Sequence, residues 1–140
     1  MTEPEPDASE LIVRAARSLR RRWMASLEPW GITPHEYRAL HVTTHEEPPR
    51  LSEIADRLRI APRSATEVVD SLEAKGLVRR VPSPTDRRAV LVEPTDAGRT
   101  LAEEVAQQRS DLGEQMLAPL APDDVAQLRD LLTRVVDDRA

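Results

Sequence analysis

Apolar residues recur along this chain at two different spacings, and the switch between them marks its organisation. Leu11, Ile12, Ala15, Ala16, Leu19 and Trp23 follow the period of an amphipathic helix. Ile54, Ala55 and Leu58 repeat that period over a short span, with Ser52 placed to cap the helix by accepting a backbone N–H, and the helix is expected to end near Arg59. A second helix is predicted to open at Pro62, because proline is pre-set for the first helical position, and its apolar side is Ala65, Val68, Val69 and Leu72. Lys75 falls in its last turn, where a cation opposes the helix dipole, and Gly76 supplies a left-handed stop. Beyond Gly76 the period changes. Leu77-Val78 and Val90-Leu91-Val92 are short aliphatic runs separated by Pro82, Ser83, Pro84, Thr85 and Asp86, which favour turns, so the segment reads as a hairpin with a long tip. Pro94 ends the second strand, and Thr95, with Asp96 behind it, caps a following helix. Helical spacing then returns at Leu101, Val105, Gln108, Leu112 and Met116, and once more at Val125, Leu128, Leu131, Leu132, Val135 and Val136.

Two helices joined by a tight turn, then a hairpin carrying Arg79, Arg80, Arg87 and Arg88, is the order of a winged helix-turn-helix. In such a module one helix can enter the major groove of DNA while the β-ribbon reaches the backbone or the adjacent minor groove. DNA binding is therefore the leading expectation.

The runs Leu51-Ser52-Glu53-Ile54-Ala55-Asp56-Arg57-Leu58 and Ser64 to Val78, then Asp86-Arg87-Arg88-Ala89-Val90-Leu91-Val92 and Thr95-Asp96-Ala97-Gly98, resemble the MarR family of bacterial transcriptional regulators. The likeness is close over about fifty residues, and Ile32 to Leu40 is similar, more loosely, to that family's second helix. The resemblance implies a mainly α fold: one domain over residues 1–140, a winged-helix lobe at 33–98, and helical dimerisation segments at 8–30 and 99–140. It also implies a homodimer built by interlocking terminal helices. From the pattern alone, the outer stripes equally fit the closing of a monomeric core. A twofold dimer would set two recognition helices about 34 Å apart and call for a pseudo-palindromic operator. By family habit the protein is expected to be a repressor released from DNA by a small ligand.

Composition narrows the picture further. The chain has 140 residues, no Phe, one Tyr and two Trp, so its core must be aliphatic. With no cysteine, disulfides, thiolate metal sites and thiol-based oxidation sensing are excluded within the chain. No apolar stretch approaches the roughly 18 residues that span a bilayer, and the start from Met1 to Asp7 lacks a signal peptide's apolar segment; a cytoplasmic protein is expected, with no membrane partner. The formal net charge of −5 divides unevenly: −2 over residues 1–49, +2 over 50–99 and −5 over 100–140. Positive charge is focused on the hairpin, and the local field rather than the total decides where phosphate binds.

The DNA contacts expected on this reading are specific. Arg63 and Ser64 open the second helix, where they can meet base edges or phosphates; Thr66, one turn after Pro62, can meet a thymine methyl or donate to a phosphate. Glu67 departs from the basic residue common in the family; accepting from cytosine, pairing with a nearby Arg and facing away all remain open. By resemblance Arg88 is the wing-tip arginine of the minor groove, with Asp86 structural, holding an arginine in place. Arg79, Arg80 and Arg87 are expected on phosphates. For the ligand, the resemblance implies a small aromatic or phenolic acid in a cleft between the dimer helices and the DNA-binding lobe. Trp23, Trp30, His35, Tyr37, Arg38 and His41 could line such a cleft or simply pack.

Other classes of function find less support. His41 and His45, four apart on a predicted helix with Glu46 and Glu47 following, have no clear third and fourth ligand, so no metal or other cofactor is assigned. The chain lacks a cysteine nucleophile, a glycine-rich phosphate loop and a serine in a nucleophile-elbow context, so no enzyme is expected. The alternative is a winged-helix module that binds protein rather than DNA; Glu67 favours it and the arginine-rich wing opposes it.

Overall fold

A computed structural model describes residues 2–45 and 47–137. Six α-helices and one hairpin follow in the order α1 (Ala8–Ser26), a 3-10 turn (Glu28–Trp30), α2 (Pro34–Thr43), α3 (Leu51–Leu58), α4 (Pro62–Ala74), β1 (Val78–Pro82), β2 (Val90–Pro94), α5 (Asp96–Leu117) and α6 (Pro122–Asp137). The fold is mainly α with a small antiparallel wing, as the sequence predicts. One aliphatic core gathers Leu40, Ile54, Val69, Leu72, Val78, Val92 and Val105, all essentially without solvent contact.

Local chemistry explains the boundaries. Thr33 accepts from the Glu36 N–H at 3.1 Å, Glu36 accepts from the Thr33 N–H in return, and Pro34 opens α2: a complete capping box. Thr95 caps α5 by accepting from the Gly98 N–H at 3.1 Å, with no reciprocal side chain because Gly98 has none. Gly76 takes φ 73° to turn the chain from α4 into β1. The cap assigned to Ser52 is corrected: α3 begins at Leu51 with Arg50 as its N-cap and no side-chain cap bond. Ser52 already lies in the first turn, and the Arg50 carbonyl accepts from Glu53 and Ile54.

The wing also differs in detail from its sequence reading. Pro82 belongs to β1 rather than to the tip, paired with Val90 at the strand's last position, where its missing N–H matters least. The outer edge of β2 is covered by the segment before α3: Val92 donates to the Pro49 carbonyl at 2.9 Å and Arg50 bridges to Leu91. That coverage makes the two-stranded ribbon part of the core rather than a free hairpin.

Glu36 ties α2 to α4. Nearly buried, it receives the Lys75 ammonium at 2.6 Å and the Ser71 hydroxyl at 3.3 Å, while Lys75 also donates to the Gly31 carbonyl at 2.8 Å. Removing one partner of such a pair leaves a desolvated charge. Lys75→Met, which keeps the stem and strips the charge, is expected to cost about 2 kcal/mol, read as a lower urea midpoint at unchanged slope.

The terminal helices behave differently from the core. Neither α1 nor α6 holds a buried residue, and Leu11, Ile12, Leu131, Leu132, Val135 and Val136 are all exposed. Between α1, α5 and α6 runs an apolar groove of about 460 Å³ lined by Leu11, Ala15, Leu19, Met116, Leu128 and Leu132 among others. The stripes of α1 and α6 stay uncovered in the single chain, whereas that of α5 gives Val105 to the core.

Candidate nucleic-acid interface

The surface built by α4 and the wing can be assembled from its residues upward. α4 starts without a side-chain cap, so its first N–H groups are free to meet an anion. Arg63 stands almost wholly in solvent, its Nε 3.8 Å from the Glu67 carboxylate. Of the options open for Glu67, the structure shows this loose pairing, which on an exposed helix contributes only a few tenths of a kcal/mol and can be exchanged for a base or phosphate. Ser64 is exposed in the same turn. The Thr66 hydroxyl donates to the Pro62 carbonyl at 3.1 Å, which engages its proton within the helix and leaves its methyl group for an apolar contact.

The four arginines of the wing fall into two classes. Arg79 pairs across the strands with Glu93, its register partner on β2. Arg80 turns back onto α4, where Asp70 and Glu73 both hold its guanidinium and Glu73 also accepts its backbone N–H. Burial opposes the charged form of Arg80, yet the two carboxylates together outweigh it and raise its pKa above the usual value. Arg80 is therefore held as a brace between the wing and α4. Arg87 and Arg88, at the tip, are exposed and have no carboxylate partner among the described residues.

Asp86 shapes that tip. Its carboxylate accepts the Arg88 N–H at 3.0 Å and lies 3.6 Å from the Arg50 guanidinium, while Ser83 accepts from the Thr85 and Asp86 N–H groups. The loop is thus held by its own side chains, and Arg50, at the start of α3, joins the basic surface. Sequence reasoning missed Arg50, because only the tertiary fold brings the residue before α3 to the wing.

The residues proposed for a ligand cleft separate in space. Trp23, Tyr37 and Arg38 meet at a cleft of about 250 Å³ between α1, α2 and α5, together with Arg20, Met24 and Arg109. Trp30 is elsewhere, donating its indole N–H to Glu104 at 3.1 Å. His35 lines a separate hollow beside Ser64 and Glu67 on the recognition-helix side. His41 stacks behind Tyr37 with ring centres 6.1 Å apart, outside the cleft lining. Burial, His45 and Arg109, in that order, hold its imidazole below the usual range. Arg109 was missed: it follows Val105 by four residues, a cation beside the stripe Leu101, Val105, Gln108, Leu112 and Met116, which was its one signal in the sequence.

The histidine pair is also corrected. α2 ends at Thr43, so His45 lies beyond the helix, although its ring meets that of His41 edge-on at 5.3 Å. Glu46 lies outside the described residues, and among those described no three potential ligands converge. No helix among the described residues is long and apolar enough to cross a membrane.

Comparison with known proteins agrees with this geometry. A model described as MarR family matches residues 30–89. The HTH-type transcriptional regulator MhqR of Bacillus subtilis is 30% identical over 135 residues, spanning 96% of this chain and 93% of that protein. The HTH-type transcriptional repressor MdtR of the same organism is 29% identical over 111 residues, 79% of this chain and 72% of its own. The crystal structure of wild-type MarR from E. coli, in its apo form, superposes with a TM-score of 0.81 at 30% identity, covering 96% of this chain and 98% of the other.

Proposed function

This chain belongs to the MarR family of DNA-binding transcriptional regulators, and we propose that it works in the cytoplasm as a homodimeric repressor that binds a pseudo-palindromic operator and leaves it on capturing a small ligand. The observation that carries the reading is the exposed basic character of both elements: Arg87 and Arg88 at the wing tip have no carboxylate partner among the described residues, α4 opens without a side-chain cap, and the other two wing arginines are tied to carboxylates. On this reading Arg63, Ser64 and the Thr66 methyl meet base edges or phosphates, Arg88 enters the minor groove, Arg87 meets phosphate, and Asp86 holds the tip in shape. Arg79 and Arg80 support the ribbon, and in DNA contact they are secondary to the tip.

The exposed apolar faces of α1 and α6 support the dimer. A monomer leaving Leu131, Val135 and Val136 in water beside a 460 Å³ apolar groove would carry an aggregation-prone patch; a second copy of the chain removes it. The cleft between α1, α2 and α5 supports ligand release, because it lies between the dimer helices and the DNA-binding lobe. A ligand there can bind one arrangement of the two lobes more tightly than the other, which is all that release requires.

Selection of bound fragments from a random duplex pool tests the proposal, with the double variant Leu131→Asp, Val135→Asp run in parallel and both proteins weighed by sedimentation. The wild type is expected to sediment as a dimer and recover an inverted repeat with half-sites about one helical turn apart. The variant should sediment at half the mass and lose the repeat. A folded dimer that recovers no sequence at low salt would move the assignment to the protein-binding alternative.

A further inference from the structure

The cleft between α1, α2 and α5 has an unusual lining for so acidic a protein. Arg20, Arg38 and Arg109 converge on it, no Asp or Glu lines it, and none of the three has a carboxylate partner among the described residues. Arg109 is fixed without one. Its guanidinium carbon sits 4.2 Å from the centre of the Trp23 ring and 4.8 Å from that of Tyr37, held by two cation–π contacts.

A second, independent feature points the same way. The Trp23 indole nitrogen is shielded from solvent and has no hydrogen-bond acceptor. A buried donor without a partner costs free energy that an incoming acceptor would recover. The cleft is therefore lined by Trp23, whose N–H lacks an acceptor, by Tyr37 and by three arginines, one of them lying over both rings, with no lining carboxylate.

Resting on the ligand-release reading above, we infer that the cleft is built for a small planar aromatic dianion, an aryl phosphate or an aromatic dicarboxylate, rather than for a singly charged aromatic acid. Three uncompensated guanidiniums are left with two excess charges by a monoanion and one by a dianion, and guanidinium forks match carboxylate and phosphate oxygens two at a time. The walls concentrate the field of those charges instead of screening it. At about 250 Å³ the space is smaller than a drug-sized pocket, so a single ring with its charged substituents is the fitting size.

The test uses the full chain carrying Trp30→Phe, so that Trp23 is the only tryptophan and its fluorescence reports occupancy of this cleft. Phenol, benzoate, phthalate and phenyl phosphate are titrated at pH 7.5, and release of the selected operator is followed in the same samples. Phthalate or phenyl phosphate is expected to bind about tenfold or more tightly than benzoate, with phenol weakest. Arg20→Gln, an exposed helix-surface change, and Arg109→Gln should each bring that preference to within about threefold. Raising the salt should shrink it in the wild type. Benzoate or phenol binding as tightly as the dianions would overturn the charge assignment and leave the cleft as the ligand site. If no probe moves Trp23 fluorescence while operator binding is intact, the cleft is not the ligand site and both readings fall.

Discussion

Gly98→Val should lower the stability of the protein by about 3 kcal/mol or more, read as a fall of roughly 10 °C in the midpoint of thermal unfolding at fixed protein concentration. Gly98 lies in the first turn of α5, where a Cβ would come within 2.0 Å of the Leu77 carbonyl oxygen and 3.3 Å of the Leu40 side chain. The obstacle is backbone that cannot give way. The Leu77 carbonyl accepts from the Thr95 N–H at 3.0 Å, the Leu77 N–H donates to Leu72 at 3.0 Å, and the Thr95 hydroxyl donates to the Gly76 carbonyl at 2.6 Å. Residues 72 to 98 thus fasten the end of the recognition helix, the root of the wing and the start of a terminal helix to one another. Even Gly98→Ala should be destabilising, against the usual gain of up to 1 kcal/mol when alanine replaces glycine in a helix. A melting point unchanged by the alanine variant would show that the α5 entry is looser than this packing requires.

The second large effect concerns DNA. Arg88→Ala is expected to weaken operator binding by about 2 kcal/mol, roughly thirtyfold, and to relax preference at the base pairs under the wing tip. Arg87→Ala should weaken binding more evenly across sequences and reduce the slope of log affinity against log salt by about one. Arg80→Ala is the informative contrast. Because Asp70 and Glu73 already hold its guanidinium, its removal should leave the salt slope nearly unchanged while lowering stability and freeing two carboxylates beside the DNA. Affinity measured at several salt concentrations separates these outcomes. A loss of one unit of slope in Arg80→Ala would return that residue to the phosphate contacts and show that its brace opens on binding.

The winged lobe was legible because its signals are local. Pro62, Gly76, Thr95 and the change of period after Gly76 each act within one turn of chain, and each does in the structure what its chemistry predicts. Ser52 misled because it stands two positions past the true cap, Arg50, within the first turn, a distinction settled by where the Arg50 carbonyl finds its partners. His45 misled for a related reason: spacing of four places two side chains together only while the helix lasts, and α2 stops at Thr43.

The sites were legible only in outline. A run of arginines announces positive charge, but whether each is free depends on carboxylates far away in the chain: Asp70 and Glu73 for Arg80, Glu93 for Arg79, Asp86 for Arg50. The cleft shows the same limit. Arg20 and Trp23 share a face of α1, three residues apart, but Tyr37 and Arg109 come from two other helices, and no spacing relates them to that pair.

Element types, their order, the family and the basic character of the wing were therefore determined by the sequence itself, since periodicity, capping and turn chemistry are short-range. Only the tertiary structure decided which charges are compensated, which apolar stripes stay uncovered, and which aromatic rings enclose a cation. Those outcomes depend on distances between residues far apart in the chain, and packing alone fixes such distances.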